Sequence, residues 1–265
     1  MQDDHKPSLA DMVNSLEGEP GRFTGHLSPW WMQGRTAFGG ITAALALAAT
    51  RKSLPDLPQL RSMQVTFLRP ILDEVTFEVT LIRAGRTASF VQVDCLSEGA
   101  VGARCMFVFG AARPSTIVHE YAPVPATPDP ASCTELVRRS SKPSFFANFD
   151  AVIIEGDQLV SGSDRPELIV WSKLTDAEGV TPEIALVCNA DSMPPAAMTC
   201  FTERAPISTI TWSVDFARMP EKIDWVWTRT TSKQAAEGYS VQDMELRDTD
   251  GALLASAQQM VALFI

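Results

Sequence analysis

The 265-residue chain is 45% apolar and 20% charged, with a mean hydropathy near zero, a balance that builds folded domains and has room for two of them. A formal net charge of −10, with no Lys or Arg run interleaved with aromatics, excludes nucleic acid as a partner. Five cysteines without a C-x-x-C pair exclude a disulfide framework or zinc ribbon and point to a reducing, cytoplasmic compartment.

Residues 1–20 form a polar, acidic leader that lacks the basic start and apolar stretch of a secretory signal. Gly39-Gly40 then opens an Ala- and Leu-rich helix expected over Ile41–Ser53, with Arg51 and Lys52 in the last turn, where the helix dipole favours cations. This apolar run is about half of the ~20 residues that span a bilayer, so no membrane span is expected. Four segments rich in Val, Phe and Thr follow, over Met63–Arg69, Val75–Arg83, Ala88–Leu96 and Gly102–Phe109. Their alternation and the turn signals between them predict an antiparallel meander. From Arg113 to Pro130 five prolines interrupt all periodicity, which predicts an interdomain linker. Beyond it, strands are expected at Phe145–Glu155 and Glu167–Ser172, a helix around Thr181–Ala190, and further strands to the end.

The two halves repeat weakly. Val65-Thr-Phe-Leu-Arg-Pro resembles Val214-Asp-Phe-Ala-Arg-Met-Pro at an offset of 149, and Glu98-Gly-Ala resembles Asp250-Gly-Ala at an offset of 152. Each half therefore reads as a helix followed by a meander, and the two are expected to pair about a pseudo-two-fold axis.

The chain has no G-x-S-x-G elbow, no P-loop and no G-x-G-x-x-G, and His5, His26 and His119 lack metal-ligand spacing. What remains for chemistry is carboxylates, amides and hydroxyls, a set suited to activating water. Alternation puts Gln259 on the apolar face of the last strand, where a buried amide needs partners. Thr209 begins the strand Ile207–Phe216, and strict alternation sets it opposite the apolar face of Ile210, Trp212, Val214 and Phe216. Asp191 precedes Pro194-Pro195, a place where Asp commonly caps the start of a helix.

Several segments, in this order, resemble the double-hotdog acyl-CoA thioesterases of type II. They are the F-G-G-x-x-x-A helix opening at Phe38, F-L-R-P at Phe67 and the G-R-T-x-S turn at Gly85. Trp171, A-D-x-x-P-P at Ala190, T-I-x-x-S-V-x-F-x-R at Thr209 and D-x-D-G-x-L-x-A-S-x-x-Q at Asp248 complete the set, which runs from about Phe23 to Ile265. The resemblance implies an α+β double hotdog, two antiparallel sheets each wrapping a central helix. The halves fall at 1–114 and 144–265, with the linker at 115–143.

It also implies that an Asp, a Thr and a Gln hold the hydrolytic water, which map onto Asp191, Thr209 and Gln259. Gly39 and Gly40 would offer helix-start N–H groups to the developing oxyanion, with close helix packing as the competing reason for two glycines. The implied reaction is hydrolysis of an acyl-CoA to free acid and CoA without metal or organic cofactor, in a chain that associates into a homo-oligomer. The alternatives are a non-catalytic acyl-thioester or lipid-binding scaffold and an enoyl-thioester hydratase, the latter disfavoured because no His lies near the site. The offsets set Leu60 and Phe107 where the second half has Thr209 and Gln259, so one active site per chain is expected. A polyanionic substrate would need a local patch among Arg69, Arg83, Arg86, Arg218 and Arg229 against the acidic background.

Overall fold

The computed structural model describes residues 6–121, 123, 125, 127–137 and 143–265, so His5 and parts of the leader and linker lie outside the described residues. A short helix α1 (Leu9–Asn14) starts on a reciprocal cap between Ser8 and Asp11. Strands β1 (Glu17–Glu19) and β2 (Arg22–His26) follow, then the small ribbon β3 (Met32–Gln33) and β4 (Thr36–Ala37). Helix α2 spans Gly39–Ser53 and is followed by β5 (Leu60–Phe67), β6 (Glu74–Ala84), β7 (Ala88–Ser97) and β8 (Ala100–Gly110). The second half contributes β9 (Thr134–Glu135), β10 (Phe149–Gly156) and β11 (Glu167–Leu174), then α3 (Pro182–Ala190). It ends with β12 (Ile207–Phe216), β13 (Val226–Ala236), β14 (Tyr239–Arg247) and β15 (Leu253–Leu263).

The two sheets expected from the sequence form one continuous sheet of thirteen strands, in the order β1-β2-β6-β7-β8-β5-β12-β15-β14-β13-β11-β10-β9. The joint is the antiparallel pair β5 and β12, in which Thr66 faces Thr211 and Ser62 faces Asp215. Pairing these strands satisfies two rows of backbone groups that two separate sheets would leave open at their edges. Within the stretch read as a linker, Thr134–Glu135 adds an edge strand to β10, and Trp171 Nε1 donates to Pro128 O at 2.8 Å.

Apart from the edge strand β9, the strand order is symmetric about the joint, and the register follows the repeat. Val65 pairs with Trp212 while Val214 pairs with Met63, as an offset of 149 demands. Met63 in turn faces Phe107, and Trp212 faces Gln259, which gives the offset of 152. Even a bulge is repeated, since the ladder slips at Arg61 between Leu60 and Ser62 and at Ile210 between Thr209 and Thr211.

Helix α2 is buried from Gly40 to Thr50 on every side, which its Ala-rich sequence permits by keeping the helix thin. It packs against β2, β6, β7 and β8 and against α3. The helices run antiparallel. At one end Arg51 grips Glu183 through two hydrogen bonds of 2.8 and 2.7 Å and also donates to Leu57 O and Pro58 O. At the other end the start of α2 meets the end of α3. Phe38, just before α2, stacks on Phe145 with ring centroids 4.2 Å apart, and Asn148 Nδ2 donates to Trp30 O at 2.7 Å. The second half thereby closes over the entrance of the first-half helix.

Candidate active site

Asp191 is the C-cap of α3, where the sequence pattern suggested the start of a helix. A carboxylate at a helix C-terminus is disfavoured by its own helix dipole. Here it is received by the start of the other helix. The first residues of α2 have no side-chain cap of their own, and the Gly40 backbone N–H hydrogen-bonds to the Asp191 carboxylate. Asp191 thus serves as an N-terminal cap supplied by another element.

Two glycines make that approach possible. A Cβ on Gly39 would lie 2.6 Å from Asp191 Oδ2 and 3.0 Å from Phe67 Cζ. One on Gly40 would lie 2.5 Å from Cys188 O and 2.5 Å from the Phe38 ring. Close packing therefore accounts for both residues, and the same packing presents the helix start to the carboxylate.

Gln259 projects from the middle of β15 into the interior, and its Nε2 donates to Asp191 Oδ1 at 2.8 Å. Asp191 stays partly open to solvent, yet the protein around its carboxyl raises the pKa to about 7. Burial is the cause, and the hydrogen bonds from Gln259 and Gly40 oppose it. Beneath it the Cys188 thiol is held well above its ordinary range, first by burial and then by the nearby Asp191 charge.

Thr209 lies on the same sheet face as Gln259. The bulge at Ile210 resets the alternation, so that Thr209 pairs with Val261, two residues along from Gln259. This corrects the expected facing of the strand start. Among the described residues the Thr209 hydroxyl makes no hydrogen bond to Asp191 or Gln259, so the structure joins two of the three expected groups and sets the third on their face.

Asn189, whose sequence context is not diagnostic, anchors the turn that carries Asp191. Its Oδ1 accepts from Ser172 Oγ and Ser192 Oγ, both at 2.9 Å, and its Nδ2 donates to Ser172 O. Gln242 on β14 also supports this region, although no sequence motif marks it. It is 1% exposed, and its Oε1 accepts the Ala196 N–H at 2.6 Å in the loop after Asp191. The signal was present in Ser240, Gln242 and Met244, which share the buried phase of that strand.

Among the described residues no group of His, Cys, Asp and Glu side chains is arranged to hold a metal ion, and no helix is long and apolar enough to cross a membrane. Arg218 and Arg229 pair with Glu120 and Glu245, whereas Arg69, Arg83 and Arg86 are exposed.

The sequence matches the acyl-CoA thioesterase C-terminal domain over residues 120–263, more than half the chain, and the acyl-CoA thioesterase N-terminal domain over residues 27–110. No curated protein shows significant similarity to the chain. Among solved structures, a conserved hot dog protein of unknown function from Alicyclobacillus acidocaldarius is 24% identical with a TM-score of 0.86, covering 98% of this chain and 99% of that one. A putative thioesterase II from Thermobifida fusca is 19% identical with a TM-score of 0.83 and 97% coverage of both chains. An acyl-CoA thioesterase II from Mycobacterium marinum is also 19% identical, with a TM-score of 0.76 over 96% of this chain and 97% of that one. At these identities the structures establish the fold, and the matched domains establish descent: the chain belongs to the acyl-CoA thioesterase family of hotdog proteins.

Proposed function

We propose that the protein hydrolyses acyl-CoA thioesters to the free acid and CoA, with Asp191 as general base. The observation that carries this reading is a carboxyl raised to about 7, held by Gln259 and set at the start of α2. A base with a pKa near the working pH combines a useful ionised fraction with real proton affinity.

Asp191 takes a proton from water as the water oxygen attacks the thioester carbonyl. Gln259, and Thr209 from the same sheet face, fix the water's direction. The Gly40 N–H is already given to Asp191, so the developing oxyanion falls to Gly39 and the positive end of α2. Collapse of the tetrahedral adduct breaks the C–S bond, and the proton held by Asp191 passes to the departing CoA thiolate. Every step is acid–base chemistry. Exposed Arg69, two residues beyond the Phe67 ring that flanks Gly39, is the cation we assign to the CoA phosphates.

Thiol release from a panel of acyl-CoAs of graded chain length tests the reading. The expected result is turnover on part of the panel, with an acid limb in kcat/KM near pH 7. Asp191→Asn, folded by circular dichroism, should lose about 10²- to 10⁴-fold in kcat. Release by the variant at the wild-type rate would remove Asp191 from the mechanism, and no release by the wild type would leave an acyl-thioester binding protein.

A further inference from the structure

One transverse row of the sheet carries more polar groups than the proposed chemistry uses. Across β12, β15, β14 and β13 it reads Trp212, Gln259, Gln242, Ser232. The equivalent positions on β5, β8 and β7 are Met63, Phe107 and Val91, so the fold itself does not require a polar side chain in this row.

Gln242 lies directly across from Gln259. Opposed residues of an antiparallel pair have Cβ atoms about 4.5–5.5 Å apart, within reach of two amides. Gln242 Oε1 accepts from Ala196 N–H at 2.6 Å and from Thr230 Oγ1 at 3.5 Å. A backbone N–H can only donate, so the amide cannot be turned over, and its Nε2 is fixed on the other side. That Nε2 is buried and has no partner. On the far side of Gln259, Trp212 Nε1 is buried without a partner too. Gln259 spends its own Nε2 on Asp191, and among the described residues nothing donates to its Oε1. Two idle donors therefore flank one idle acceptor.

We infer that Gln242 is a positioning residue: with its Oε1 kept on the Ala196 N–H, a turn of the Gln259 side chain brings Gln259 Oε1 to the Gln242 Nε2–H and locks that amide with its own Nε2 toward Asp191. The lock matters because a free amide can turn by 180°. Turned, it presents Oε1 to Asp191, which favours the protonated acid over the carboxylate that removes a proton from water. The relay runs from the Ala196 N–H through Gln242 and Gln259 to Asp191, tying the loop that follows the base to the strand that orients it. Cys188 is the titratable side chain beside Asp191, and it stays a neutral thiol through this range.

The inference rests on Asp191 as the base, and its test is separable from that reading. Gln242→Met removes the donor at nearly constant volume. The expected result is a fall in kcat of about tenfold with KM within about twofold, and an acid limb displaced to higher pH. Wild-type kcat with an unmoved acid limb, in a folded variant, would overturn it. Should Gln242→Met fail to fold, Gln242→Asn, which keeps an amide on a shorter stem, should show the same displacement at smaller size, and its absence would count equally against the proposal. Should the wild type release no thiol from any acyl-CoA, the hydrolase reading fails by itself. The Asp191 carboxyl, titrated by carbon NMR without substrate, then decides: a higher midpoint in the variant supports the lock, and an unchanged one refutes it.

Discussion

Ionising Asp191 works against folding, and that opposition is measurable. An ordinary aspartate titrates near 3.8, whereas this one titrates near 7 in the folded protein. Between those values the folded state keeps a proton that the unfolded chain has released, so stability falls as pH rises through this window and levels off above it. The displacement corresponds to roughly 2–4 kcal/mol, toward the lower figure because water still reaches the side chain. Asp191→Asn removes the charge and keeps an oxygen for Gln259 Nε2. The variant should therefore match the wild type in urea denaturation near pH 4 and exceed it by about 2 kcal/mol at pH 8. Parallel stability curves for the two proteins across that range would show that the carboxylate is not held at a cost. Such a trade is expected of a group placed for chemistry: on the proposed reading, the position that weakens the fold at neutral pH is the one that would make the carboxylate a base there.

The site depends on two helix ends meeting, and at the level of these elements propensity and packing give opposite answers. Replacing a helical Gly by Ala ordinarily stabilises, by up to about 1 kcal/mol in a helix interior and by less in the first turn, where Gly39 and Gly40 stand. At Gly39 the added methyl would stand 2.6 Å from Asp191 Oδ2, and at Gly40 it would stand 2.5 Å from Cys188 O. Both substitutions should lower the melting temperature instead, by about 1–3 kcal/mol of overpacking. Gly39→Ala should also cost activity, because it displaces the proposed base. Thermal melts with thiol-release rates check both, and a stabilised Gly39→Ala would mean that the helices yield freely at this point. These elements show where the sequence was legible. The Gly-Gly opening, the Ala-rich helix and the alternation that buries Gln259 are short-range patterns, and the structure has them close to where they were read. Thr209 was given the wrong facing because one extra residue, Ile210, shifts the phase of β12, and a bulge leaves no mark on residue type. The capping of α2 by Asp191 joins residues about 150 positions apart, and no local pattern encodes it.

Over the whole molecule, duplication explains both the shape and the asymmetry. The repeat offsets were readable in the sequence, and the register follows them down to the paired bulges. The merging of two sheets into one was not, because pairing of β5 with β12 depends on strand edges, and edges are not written in hydropathy. The halves share a backbone plan, but where the second half sets Asp191 and Gln259 together, the first places Phe107 at the position equivalent to Gln259 and Leu60 at that of Thr209. The first half contributes instead the helix start that receives Asp191 and the Phe67 ring beside it. The proposed site is therefore composite, built by both halves, and one per chain is expected. Calorimetric titration of Asp191→Asn with a hydrolysable acyl-CoA, or of the wild type with a thioether analogue, should give one equivalent bound per chain. Phe107→Gln should leave that stoichiometry unchanged and lower stability by about 2–4 kcal/mol, since it buries an amide among apolar neighbours without supplying a carboxylate to hold. Two equivalents bound by the wild type would mean that the first half keeps a working site despite its apolar row.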